Sequence, residues 1–167
     1  MTDSKATVTG QDTAEHRGPD GQLKAKCVTR NLITAIGDRL YASRGAGLST
    51  SNLPTGMRLG TGSTAVAKTG AGAAIVTYLA TSNKAFDATF PSEAAGVVTY
   101  KRTYAPGEAT SASPITEVVI NTDAIANDNA TTATAANTVA RALLSGIGSK
   151  GAGDTLSVTW THSILGS

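Results

Sequence analysis

The sequence predicts an all-β protein, built as a β-sandwich with one short helix. Stretches in which Thr, Val, Ile and Tyr cluster recur along the chain, separated by turns rich in Gly, Pro and Asn, and this pattern is typical of short strands. Hydrophobic residues make up 40% of the chain and aromatic residues only 4%, so small aliphatic side chains must fill the core. With 167 residues the chain can enclose one such core. We expect a β-sandwich, of which a jelly roll is one form.

Residues 1–21 are predicted to form an extended N-terminal arm outside the sandwich domain, which spans residues 22–167. The segment is polar, its few apolar residues show no periodicity, and it contains Gly10, Gly18, Pro19 and Gly21. Such a segment buries too little apolar surface to fold by itself. We therefore expect the arm to become ordered on contact with another protein, and to be removable without unfolding the domain.

The domain begins with a strand and continues into the one helix that the sequence predicts. From Gln22 onwards, apolar and polar residues alternate as in a half-buried strand. Helical spacing follows, and Asn31 is the expected N-cap. The apolar face of this helix consists of Leu32, Ile33, Ile36 and Leu40.

Later strands are predicted from short apolar runs bounded by turn residues. The runs are MRLGTG (57–62), VVTYKRTY (97–104), PITEVVINTDAI (114–125) and DTLSVTWTHSI (154–164). In the last run Trp160 is expected on the core face. Residues 127–138 form a polar loop, and the segment 138–145 fits both a strand and a helix because its residues tolerate helix and also alternate.

Charge and cysteine content exclude several classes of partner. The 14 basic and 12 acidic residues form no cluster of one sign, so a nucleic-acid partner is not expected. No apolar run is long enough to span a membrane, and the N-terminus lacks a signal peptide; we expect a soluble protein made in the host cytoplasm. Cys27 is the only cysteine, which excludes an intrachain disulfide, and we expect it to be an ordinary strand residue.

The segment from Gly62 to Thr69 comes within one residue of a phosphate-binding loop. The pattern requires a second glycine where this chain has Ala67, and the Gly-Ala-Gly after Lys68 and Thr69 opposes the helix that such a loop needs. Asp123 could imitate the magnesium ligand of a nucleotide site, but the neighbouring elements do not alternate between strand and helix. We interpret the segment as a glycine-rich surface loop in which Lys68 is a surface charge.

No catalytic, cofactor or metal site is predicted. The two histidines are His16, in the arm, and His162, expected at a strand edge or subunit contact; no nucleophile motif accompanies either. Asp128, between Asn127 and Asn129, lacks the spaced glutamate of an EF-hand and is interpreted as part of a turn.

Glu108 and Glu117 are the one pair of carboxylates considered for acid–base chemistry. A glycosidase would hold them in a cleft lined with aromatic residues, which this chain has too few of. Because Glu117 begins an apolar strand, its carboxylate needs a donor, and Arg141 and Arg102 are the candidates. An ion pair that stabilises the sandwich is the expected role.

The order of these segments resembles a group of small structural proteins of tailed bacteriophage virions. The resemblance covers about residues 22–165 and departs from the family pattern in the glycine-rich interval from Gly60 to Gly72. The matching motifs are diffuse and consist of N-L-I-T-x-x-G (31–37), G-T-G (60–62), T-Y-x-x-G-E-A-T (103–110), I-T-E-V (115–118) and D-T-L-x-V-T-W-T (154–161).

This resemblance implies a non-enzymatic assembly protein located in the virion. The first expectation is a head decoration or cement protein that binds the major capsid protein, and the alternative is a minor tail, adaptor or fibre-attachment protein. Both imply contacts with other virion proteins and a homo-oligomer of unknown order. A carbohydrate-binding module is a third possibility, and it would need exposed aromatic residues such as Tyr100 and Tyr104.

Overall fold

The computed structural model describes residues 8–49, 52–125 and 134–164. The predicted class, mainly β with one short helix, is confirmed. A single turn of 3-10 helix, Gly70–Ala73, follows β3 in the chain. The elements in order are β1 (Thr9–Arg17), β2 (Leu23–Ile33), α1 (Ala35–Gly45), β3 (Gly56–Gly60), β4 (Lys84–Ala85), β5 (Ser92–Ala94), β6 (Val97–Tyr104), β7 (Glu117–Asn121), β8 (Thr138–Leu143) and β9 (Thr155–Ser163).

Within the described residues the strands form one antiparallel sheet that curls over a shared core. The strand order is β4-β3-β7-β8-β2-β1-β9-β6-β5. One half of the sheet consists of β4, β3, β7 and β8, and the other of β1, β9, β6 and β5. Strand β2 belongs to both halves, because residues 23–31 pair with β1 whereas Leu32 and Ile33 pair with β8. Buried side chains from both halves, such as Trp160 on β9 and Leu59 on β3, belong to one cluster. The two halves therefore enclose a core as the two layers of a sandwich do.

Strand β1 corrects the predicted N-terminal arm. Residues 9–17 lie in the middle of the sheet, paired with β2 on one side and with β9 on the other. The sequence pattern was misleading because the inward positions of β1 include polar residues, Asp12 and His16, beside Ala14, and all three are buried. Removing residues 1–21 would take away the strand that joins β2 to β9, so residues 9–17 are part of the domain.

The helix begins three residues later than its apolar spacing predicts. Strand β2 continues through Leu32 and Ile33, and Thr34 is the N-cap, with its hydroxyl accepting a hydrogen bond from the Gly37 backbone N–H at 3.2 Å. The predicted cap, Asn31, lies in the strand. The error arises because Leu32 and Ile33 fit both a strand ending and a helix beginning.

Two further predictions concern the C-terminal half. The ambiguous segment 138–145 is a strand over Thr138–Leu143, in the interior of the sheet between β2 and β7. Most of the predicted polar loop at 127–138, including Asn127, Asp128 and Asn129, lies outside the described residues.

The core is centred on the terminal strand, as its alternation predicts. In β9 the inward residues Leu156, Val158, Trp160 and His162 are all fully buried. Trp160 lies opposite Tyr100 of β6 and opposite Asp12 of β1. The largest side chain of the chain thus packs where three strands meet.

Replacing Trp160 with alanine is expected to destabilise the protein severely. Removing a large buried aromatic side chain costs about 3 to 5 kcal/mol of unfolding free energy, because the rigid strands around it cannot close the cavity. Denaturant unfolding measures the loss, and Thr159→Ala, on the outer face of the same strand, is the control. A loss of less than about 1 kcal/mol for Trp160→Ala, the ordinary effect of a point substitution, would contradict the assignment.

Candidate functional site

The carboxylate of Glu117 binds the backbone of the glycine-rich segment that resembles a phosphate loop. Glu117 is fully buried at the start of β7. Its Oε1 accepts hydrogen bonds from the backbone N–H groups of Gly62 (3.0 Å), Val76 (3.1 Å) and Thr77 (2.9 Å). The segment therefore does bind an anion through its amides, and that anion is a side chain of the same protein.

Arg141 neutralises this buried carboxylate. From β8, its Nη2 and Nε donate to Glu117 Oε2 at 2.6 and 3.1 Å. Its Nη1 donates to the backbone carbonyl oxygens of Thr64 (2.8 Å) and Gly72 (3.3 Å). Of the two partners predicted for Glu117, Arg141 is the correct one, and the pair connects both ends of the segment to the sheet.

Two glycines of the segment are required by the close approach of this carboxylate. A Cβ at Gly60 would lie 2.5 Å from Glu117 Oε1, and a Cβ at Gly62 would lie 2.6 Å from it. Because carbon and oxygen cannot approach so closely, only glycine fits at either position. The two glycines of the G-T-G motif are therefore explained by their packing against Glu117.

The two other residues that resembled parts of a nucleotide site, Lys68 and Asp123, form ion pairs within the protein. Lys68 Nζ lies 2.6 Å from Asp38 Oδ2 on the surface of α1, and Asp123 Oδ2 lies 2.9 Å from Nη1 of the buried Arg58. Lys68 is thus a half-exposed surface charge, as expected, and both groups have a partner within the protein.

His16 is a buried structural residue, which corrects its predicted place in a disordered arm. Its Nε2 lies 2.9 Å from Asp154 Oδ2, and its Nδ1 lies 2.9 Å from the carbonyl oxygen of Ile147. Asp154 also accepts from Lys24 Nζ at 2.7 Å and from the Gly151 backbone N–H at 2.9 Å. The hydrogen bonds from Lys24, His16 and Gly151 lower the pKa of Asp154 far below its ordinary value. This ionised carboxylate joins β1 to the loop before β9.

His162 is fully buried inside the sheet, although it was expected at a strand edge or a subunit contact. Strand β9 lies between β1 and β6, and Tyr41 of α1 contacts the ring at Nδ1. Tyr41 Oη in turn lies 3.0 Å from Tyr100 Oη. Burial lowers the pKa of His162 to about 3 and raises the pKa of both tyrosines. All three side chains are therefore uncharged near neutral pH and connect α1 to the sheet.

Asp12 is a buried ionisable residue that sequence reasoning missed, as it also missed Arg58, Lys150 and Asp154. Its side chain is fully buried on the inner face of β1, and neither carboxylate oxygen has a hydrogen-bond partner among the described residues. Burial raises its pKa to about 8. The only sequence signal is its place in the period-two pattern with Ala14 and His16, which is visible once β1 is known to be a strand.

The other two candidate residues, Glu108 and Cys27, are also held by contacts within the protein. Glu108 pairs with Arg102 and lies apart from Glu117. Cys27 is a buried strand residue whose Sγ accepts from the Ser145 backbone N–H at 3.3 Å. In the described part of the chain, no group of three or more His, Cys, Asp or Glu side chains could hold a metal ion. No helix there is long and apolar enough to cross a membrane.

The outer face of the sheet is the remaining candidate for a function. We use this name for the outward side chains of β6, β9, β1 and β2, which are partly or fully exposed. Cross-strand register arranges them in three rows: Thr99-Thr161-Gln11-Arg30, Lys101-Thr159-Thr13-Val28 and Thr103-Ser157-Glu15-Lys26. Short hydroxyl side chains form its centre, and its charged residues are mostly basic.

Comparisons with known proteins leave this face as the main guide to function. No family model, curated protein or solved structure matches the chain.

Replacing Arg141 alone is expected to lower the unfolding free energy more than replacing Arg141 and Glu117 together by uncharged residues. Arg141→Leu leaves a buried carboxylate without a counter-ion, which costs about 3 to 5 kcal/mol of unfolding free energy. Adding Glu117→Gln to that variant should recover part of the loss, because the neutral amide needs no counter-ion and its oxygen can still accept from the loop. Denaturant unfolding of the single and double variants tests this. Equal or lower stability of the double variant would contradict it.

Asp12 is expected to make the protein less stable as pH rises from 6.5 to 8. Its pKa is higher in the folded state than in the unfolded state, so the folded state binds more protons and loses stability as pH rises towards 8. The lowered pKa of His162 acts in the opposite direction, but only below pH 6.5. The loss over this window is about 2 kcal/mol. Unfolding at several pH values should show that Asp12→Asn removes the slope; an unchanged slope would refute this role.

Proposed function

We propose that this chain is a non-enzymatic structural protein of a tailed-phage virion. Its role is that of a decoration or cement protein that binds the major capsid protein and stabilises the head. We also propose that the chain forms a homo-oligomer, and the light-scattering measurement described below gives its number of subunits.

The observation that carries the proposal is the outer face. Its rows of threonine and serine side chains are short and regular, so the central part of the face presents a shallow surface. Val28, 53% exposed, lies among them. A surface of this shape suits contact with the flat exterior of an assembled shell. The resemblance of the segment order to virion proteins supports the same role.

The surroundings of the ionisable groups support a structural role over catalysis. Catalysis by a side chain requires that it reach a substrate. Glu117, Arg141 and His162 are fully buried and hold parts of the chain together, and His16 is engaged by Asp154. The carbohydrate-binding alternative loses its candidates, because Tyr100 and Tyr104 are buried.

A charged residue on the outer face is expected to block incorporation into particles without unfolding the protein. Val28→Glu replaces an exposed side chain, so its stability should change by no more than about 0.5 kcal/mol. Leu48→Glu is the matched control, since Leu48 is 62% exposed on the loop after α1 and outside the outer face.

Quantitative gels of purified virions carrying each variant provide the measurement. Many wild-type copies per head, normal incorporation of Leu48→Glu and loss of Val28→Glu are the expected results. A few copies that remain with isolated tails would favour the adaptor role, and absence from particles would refute the proposal. Light scattering of the isolated chain gives the order of self-association.

A further inference from the structure

A cleft of about 610 Å³ opens at one end of the outer face. It lies where the beginning of β1 and the ends of β2 and β9 meet the segment that contains Lys68. Its volume is within the range of sites that bind ligands. The cleft is continuous with the outer face, because Arg30, Gln11 and Thr161, which form one of its rows, also line the cleft.

The charge of the cleft is positive. Arg30 and Lys68 line it, and none of the acidic side chains in residues 8–49, 52–125 and 134–164 does. Lys68 shares its charge with Asp38. Arg30 is exposed, and its guanidinium makes no ion pair or hydrogen bond within the part of the chain that the structure describes. Within those described residues nothing neutralises the charge of Arg30, which can therefore bind an anion.

The other lining groups fit a peptide better than a small ion. Val8, Leu32 and Ile33 add apolar surface, which an inorganic anion would not use. Polar side chains that can bond to a peptide backbone surround them, namely Thr9, Gln11, Thr161 and Ser163. The planar fork of an arginine binds a carboxylate through two parallel N–H groups, so the side chain of an aspartate or glutamate in such a peptide suits it.

We propose that this cleft binds an acidic segment of a partner protein, with the guanidinium of Arg30 holding a carboxylate. The inference rests on the proposed function in one respect, since the segment then belongs to the protein against which the outer face lies. Lys101, on the far strand of the outer face, adds a further positive charge, whereas Lys26 is paired with Glu15 at 3.0 Å.

Binding of a short acidic peptide to the isolated protein tests the inference. The probe is a fluorescein-labelled peptide of alternating Glu and Val residues, followed by fluorescence anisotropy at low salt. Arg30→Gln is expected to weaken binding by about fivefold or more, the effect of losing a charge-assisted pair. Arg30→Lys should weaken it by less, because a lysine keeps the positive charge although it cannot form the bidentate fork. Arg44→Gln is the matched control, as Arg44 is exposed on α1 and does not line the cleft.

Each outcome decides the inference. Selective loss with Arg30→Gln, together with no binding of the same peptide carrying Gln for Glu, supports it. Equal losses with Arg30→Gln and Arg44→Gln would mean unspecific attraction and overturn it, as would the absence of binding. Displacement of the peptide by an equal concentration of inorganic phosphate would mean a small-anion site and also overturn it. These measurements use no particles, so their failure is distinguishable from a failure of the proposed virion role.

Discussion

The buried pair of Glu117 and Arg141 determines how the longest irregular segment of the described core packs on the sheet. Residues 61–77 contain only one turn of 3-10 helix, so their backbone groups need partners from outside the segment. The carboxylate supplies acceptors for three amides, and the guanidinium supplies donors for two carbonyl groups. The segment then reaches α1, where the Ala35 backbone N–H donates to the Lys68 carbonyl oxygen at 2.9 Å. One ion pair thus influences the loop, the start of the helix and two central strands.

The same pair explains why the sequence comes so close to a phosphate-binding loop. Both kinds of loop use glycines to bring backbone N–H groups near an anion without a clash from Cβ. In a nucleotide site the anion is a phosphate at a helix N-terminus. Here it is Glu117, on a neighbouring strand, and Gly60 and Gly62 leave room for it. The glycine pattern therefore indicates an anion and does not identify which one.

Strands were predictable from sequence where one face of the strand is apolar. Alternation identified β6 and β9, and it placed Trp160 in the core, because burial imposes a period of two on such strands. Strand β1 could not be found in this way, since its inner face carries Asp12 and His16. Charge alone gave Arg141 as a partner for Glu117, but the three backbone amides that share the carboxylate come from a distant segment. Period and charge are local signals, whereas a polar core depends on contacts across the chain.

The distribution of charged groups separates stability from recognition in this protein. On the inner face, a charged residue is tolerated only with a partner, as in the Glu117–Arg141 pair, or with a shifted pKa, as for Asp12. On the outer face water solvates each charge, so an arginine such as Arg30 needs no partner for the fold to be stable. A residue that folding does not require to be paired can bind another molecule at little cost to stability. Unpaired charge on the outer face is therefore where recognition by this protein is best sought.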